Sequence, residues 1–156
     1  MDDKLHMLRH TVATLAYRGG KAIRGAPADF SSFQSGPGGR TAGEILAHLG
    51  DLFDWSLGLC EGRSEWHVAP VRTWTEDSAR FHTALEALDC RLSSGVAVVA
   101  PEKVFQGPIA DALTHVGQLA MLRRMAGAPI RGENYHKANI EAGRVGADQA
   151  PPVFEF

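Results

Sequence analysis

Four stretches of this chain repeat their apolar residues every three to four positions, and almost none alternates them in twos. Each such stretch is a helix with one apolar stripe, and four stripes in one chain of this size must be buried against one another. The expected fold is therefore all-α, a four-helix bundle. The first stretch runs from about Asp3 to Tyr17 on a stripe of Leu5, Leu8, Val12 and Leu15, with Gly19-Gly20 as its expected end. The second opens on Thr41-Ala42-Gly43-Glu44, a Thr-x-x-Glu capping box, and closes near Cys60-Glu61-Gly62. Ile45, Leu49, Leu52, Ser56 and Leu59 line its buried face. The third is placed at Thr75 to Leu92, with Glu76 and Asp77 favouring the positive end of the helix dipole and Phe81, Leu85, Leu88 and Leu92 turned inward. The fourth is expected to take Gly107 as cap and Pro108 as its first helical residue, and to stop at Ala126 before Gly127. Val96 to Ala100 could be extended, but one strand without a partner makes no sheet, so it reads as connecting chain.

The connections between these helices, roughly 13 to 22 residues, exceed those of a simple up-down bundle and predict at least one crossover. The length fits one domain: residues 1–128 as the bundle and 129–156 as an irregular C-terminal extension on the same domain. Two exposed phenylalanines at Phe154-Glu155-Phe156 would be unfavourable, so the tail is expected to pack back on the domain or on a partner. A formal net charge of -2 with no basic run disfavours nucleic acid as a partner. No apolar run is long enough to cross a bilayer, and Asp2, Asp3 and Lys4 precede no signal-peptide core, so a cytoplasmic location without membrane association is expected. Cys60 and Cys90 have neither zinc-ribbon nor disulfide spacing and read as reduced, partly buried thiols.

The chemistry-bearing residues lie on the second and fourth helices. His48 falls inside the apolar stripe of the second helix, three after Ile45 and four before Leu52, so it points inward. Asp111 and His115, four apart, share one side of the fourth helix. If the two helices are neighbours, two imidazoles and a carboxylate converge on one divalent cation with positions left open for water or substrate, a donor set suited to zinc, iron, nickel or manganese. Asp51 and Gln118, each three residues from a candidate ligand, are placed to orient the imidazoles. Plainer readings exist for each: an inward histidine can be a hydrogen-bonded core residue, and Asp111 can answer the helix dipole. His6 and His10 also stand four apart but flank the first stripe, where solvent is the simpler neighbour. Cys60 lacks an adjacent base, and neither a Ser-centred nucleophile elbow nor a phosphate-binding glycine loop is present.

The segment Thr41-Ala42-Gly43-Glu44-Ile45-Leu46-Ala47-His48-Leu49, together with His115-Val116-Gly117-Gln118-Leu119 and Leu122-Arg123-Arg124, resembles the second-helix and fourth-helix signatures of the DinB/YfiT-like superfamily of metal-dependent proteins. The resemblance covers the four helices and leaves out the tail from about Pro129. It implies an up-down-down-up bundle, a homodimer, and a divalent metal on three side chains. His48 and His115 match two of the ligand positions. The third, four residues before His115, is usually histidine and is Asp111 here. The resemblance also implies a small-molecule substrate and chemistry of the S-transferase or isomerase kind, in which the metal activates a low-molecular-weight thiol or a water. The competing class is a non-catalytic binding or scaffold bundle that has lost the metal.

Overall fold

Helix α1 (Asp3–Ile23) starts where the Asp2 carboxylate accepts the Lys4 N–H at 2.8 Å, and it ends at Arg24, beyond the expected stop. Gly19 and Gly20 lie inside it, buried: Phe81 of a neighbouring helix comes so close to Gly19 that a Cβ there has no room without a shift, while Gly20 lies under the Arg24 guanidinium and in ordinary contact with His82. The two glycines are thus close-packing points, and burial outweighs their poor helix propensity. The computed structural model describes residues 2–156.

Helix α2 (Ala42–Cys60) carries the expected capping box: the Thr41 N–H donates to Glu44 Oε2 at 2.7 Å, and the Glu44 N–H to Thr41 Oγ1 at 3.2 Å. Helix α3 (Trp74–Ser93) begins slightly ahead of Thr75, on an equivalent Thr73/Glu76 box. The last long helix departs more from expectation. A short α4 (Pro101–Val104), entered through left-handed Ala100, leads into a wide π-type turn (Phe105–Ile109) and then into α5 (Ala110–Met125). Gly107, with φ -87° and ψ -105°, is not helical, so two helices meet at a kink there and Pro108 opens the second as expected; the unexpected element is α4 ahead of it. Pro108, lacking an N–H and crowding the preceding turn, keeps the two helices apart.

Cross-helix contacts fix the directions. On α1 and α3, Arg9 meets Asp89 while Gly19 meets Phe81, so these two run antiparallel. On α2 and α3, Ala47 and Asp51 bind Arg80 while the Cys60 carbonyl accepts from Arg91, so these run parallel. On α1 and α5, the Ala22 carbonyl accepts from Arg123, and Lys4 pairs with Glu102 just ahead of α5, so these too run parallel. The bundle is up-down-down-up, as the resemblance implies, with α1 and α2 each in contact with both α3 and α5. Leu15, Leu46, Leu49, Phe53, Phe81, Leu85, Leu88 and Leu119 fill the centre. Arg123 is buried and serves the loops: its guanidinium donates to the carbonyls of Ala22, Arg24, Gly25 and Ala128, tying the end of α1 to the end of α5.

The residues after α5 lie along α1 and α3. Val145 is buried in the core, and its carbonyl accepts from His82 Nδ1 at 3.2 Å. At the C-terminus, Glu133 and Glu155 form an isolated antiparallel bridge, with the Asn134 N–H donating to Phe154 O and the Phe156 N–H to Gly132 O. The tail is thus fastened by its backbone, while the Phe156 side chain, laid over Gly132, stays 75% exposed. Cys60 is buried, but Cys90 is exposed, against the expectation of partial burial for both. His6 and His10 face solvent. Among the described residues no helix is long and apolar enough to cross a membrane.

Candidate metal centre

The antiparallel packing of α2 on α5 brings the middle of one helix to the start of the other, and His48, Asp111 and His115 meet there. His48 Nε2 lies 3.6 Å from Asp111 Oδ2, and His115 Nε2 lies 3.5 Å from Asp111 Oδ1. The rings of His48 and His115 cross at 88° with centroids 4.6 Å apart. One donor atom from each of the three residues lies within 4.8 Å of the others. This cluster can hold a metal ion.

The spacing leaves room for an ion, each histidine standing off a different oxygen of Asp111. At 3.5 and 3.6 Å neither imidazole is hydrogen-bonded to the carboxylate. Ligand bonds of about 2.1 Å at tetrahedral angles separate donor atoms by about 3.4 Å, close to both distances. Protonation points the same way. Burial, with His115 and Arg40 nearby, holds His48 below its ordinary value despite Asp111, so at neutral pH its ring keeps a free lone pair. In His115, the Nδ1 bond to Gln118 Oε1 at 2.8 Å orients the ring so that Nε2 is the nitrogen facing Asp111.

Both imidazoles are mostly enclosed, at 17% and 12% side-chain exposure, whereas Asp111 is 48% exposed and opens the cluster to a cleft of about 750 Å³. Ile45, Leu122, Met121 and Met125 form its apolar wall, and Ser35, Arg40 and Gln118 add polar groups. The volume suits a small molecule. Trp66, from the loop after α2, closes on the other side of His48 with its ring centroid 5.7 Å away.

Of the two residues expected to orient imidazoles, the fold brings only Gln118 to its histidine. Asp51 is buried and turned to α3, where its Oδ1 accepts from Arg80 at 2.8 Å and from the Ala69 N–H at 3.2 Å. Three residues along a helix gave it the right side but not the right partner, because the Arg80 guanidinium, which it shares with Asp54, is the stronger attraction. The dipole reading of Asp111 keeps its footing, since Asp111 lies in the first turn of the helix that follows the Gly107 kink. Arg40 and Ser35 escaped sequence reasoning because they sit in an irregular loop with no periodicity to place them. Comparison of the chain with known protein families, with curated proteins and with solved structures finds no match in any of the three.

Proposed function

We propose that this chain is a divalent-metal-dependent enzyme of the DinB-like kind, acting on a small molecule in the cleft beside His48, Asp111 and His115. The observation that carries the reading is the set of three donor atoms within 4.8 Å on the floor of an open cleft, with the His48 pKa held low by burial and the His115 ring oriented by Gln118. Two nitrogens and one carboxylate oxygen suit zinc, iron, nickel or manganese. A cation held there lowers the pKa of an entering thiol or water and stabilises the anion that attacks an electrophile.

The chain's own residues supply the rest. Gln118 fixes the His115 ring, and burial keeps His48 neutral and ready to bind. The half-exposed Asp111 carboxylate leaves one side of the cluster accessible from the cleft. The apolar wall of Ile45, Leu122 and the two methionines shields the reacting groups from bulk water. In the thiol-transfer form, the thiol proton passes to water in the cleft, a sulfur–carbon bond forms, and the leaving group departs with its electron pair.

Metal content of the protein purified without added metal or chelator tests the first half of this reading. A stoichiometric ion, lost in His48→Ala and in His115→Ala, is expected. Thiol consumption in the presence of electrophiles tests the second half and should vanish in the same variants. Protein that is empty, and equally inert with and without added metal, would instead indicate a binding or scaffold bundle.

A further inference from the structure

One loop of the cleft carries polar groups that the fold does not use. Between the Phe33 carbonyl, which accepts the Ala42 N–H at 2.9 Å, and the start of α2, the chain turns tightly, with the Gly39 N–H donating to Gly36 O at 3.1 Å. Pro37 and Gly38 are the two central residues of that turn, and Gly38 has φ +79°, the pairing that a type II turn requires. The turn seats Ser35 on one flank and Arg40 on the other, and both line the cleft that holds the metal cluster. Gly39 lies so close to Gly36 O and Ser35 Oγ, 3.3 Å from each for a would-be Cβ, that a larger residue would push the flanks apart.

Arg40 is the sole cation among the lining residues, and no carboxylate among the described residues comes within ion-pair distance of it. The buried and half-buried arginines that join the helices are committed: Arg9 to Asp89, Arg80 to Asp51 and Asp54, Arg91 and Arg123 to carbonyls. The Ser35 hydroxyl has no hydrogen-bond partner either. Asp111, the one anion of the lining, is turned to the two histidines. The cleft thus combines a cluster able to hold a cation, a free guanidinium and hydroxyl on its rim, and an apolar wall in which Met121 and Met125 are 55% and 49% exposed.

We propose that Ser35 and Arg40 form an anion-binding rim, and that the substrate is a small monocarboxylate with an apolar body: the carboxylate sits on Arg40, the body lies on the methionine wall, and the reacting end reaches the histidines. One planar guanidinium and one hydroxyl match a single carboxylate better than a doubly charged phosphate, for which one cation is too few. The assignment of the reacting end rests on the metal-enzyme reading; the rim itself does not.

Binding of phenylhexanoate and of its neutral analogue phenylhexanamide to the full chain, followed by calorimetry or amide chemical shifts, tests the rim. Measurements are made with zinc and with chelator, so that a carboxylate held by the cation is told apart from one held by Arg40. The acid should bind about tenfold more tightly than the amide under both conditions. Arg40→Gln should reduce the acid to the affinity of the amide, Arg40→Lys should keep part of the preference, and His115→Ala should leave it intact. Arg40 is exposed and unpaired, so its variants should melt with the parent protein. Equal affinities, a preference that survives Arg40→Gln, a preference that follows chelation or His115→Ala, or no binding of the acid at millimolar concentration would each overturn the rim. A protein that takes up no zinc yet prefers the acid would keep the rim and refute the metal centre.

Discussion

Two clusters of titratable side chains in this molecule, one joining the tail to α1 and one joining α2 to α5, are built on opposite rules. On the α1 side, Glu133 has a fully buried side chain that accepts from Tyr17 Oη at 2.6 Å and from Lys21 Nζ at 2.7 Å, and Lys21 also reaches Glu155 at 2.9 Å. Each of these contacts is at hydrogen-bond length. On the α2/α5 side, the Nε2 atoms of His48 and His115 stand 3.6 and 3.5 Å from a carboxylate and next to an open cleft, too far for a bond. Charges that satisfy one another hold a fold together. Lone pairs that face one another across a gap of this size are arranged for something that enters it.

That contrast predicts where substitutions act. The largest effect is expected at the tail clasp: Glu133→Ala leaves a buried Lys21 with half its partners and Tyr17 with none, and should cost about 3 kcal/mol in denaturant unfolding while metal binding is unchanged. Should the same variant empty the metal centre, the two regions are not independent. Next is Gln118→Ala, which frees the His115 ring to rotate and should weaken metal affinity by about tenfold with little effect on the melting temperature.

A smaller effect is expected from pH. Burial, and then the bond to Glu133, push Tyr17 above its ordinary 10.0, while Lys21, although burial opposes it, is raised above 10.5 by Glu133 and Glu155. The folded protein keeps protons that the unfolded chain releases, so the clasp contributes fully below about pH 10 and loses its contribution as pH rises beyond that. Tyr17→Phe should flatten the tyrosine part of this alkaline decline in unfolding measured from pH 8 to 11; an unchanged slope would remove Tyr17 from the account. Smallest of all, His48→Ala in metal-free protein should shift stability by about 1 kcal/mol or less, since the ring is not hydrogen-bonded to its neighbours. A loss comparable to that of Glu133→Ala would make His48 a structural residue.

The helices and the cluster were legible because both depend on local spacing. The Thr41/Glu44 box marks its helix start by itself, and the i,i+4 pair of Asp111 and His115 shares a face wherever that helix begins. Features decided by tertiary contact were not legible. Gly19-Gly20 reads as a stop until Phe81 is seen to need the space at Gly19, and the turn of helix at Pro101–Val104 ahead of the Gly107 kink carries no periodic signal. Asp51 was assigned to the wrong partner for the same reason: its spacing from His48 was visible, but Arg80, on another helix, was not. The tail clasp joins residues more than a hundred positions apart, and no periodicity connects them.

The central claim, that His48, Asp111 and His115 bind one ion together, is tested most directly by the visible absorption of the cobalt(II)-loaded protein. One equivalent of cobalt should give the intense d–d bands of a low-coordinate site, and these should collapse in His48→Ala and in His115→Ala while surviving in Asp51→Asn. Bands that never appear, or that persist when either histidine is removed, would contradict it.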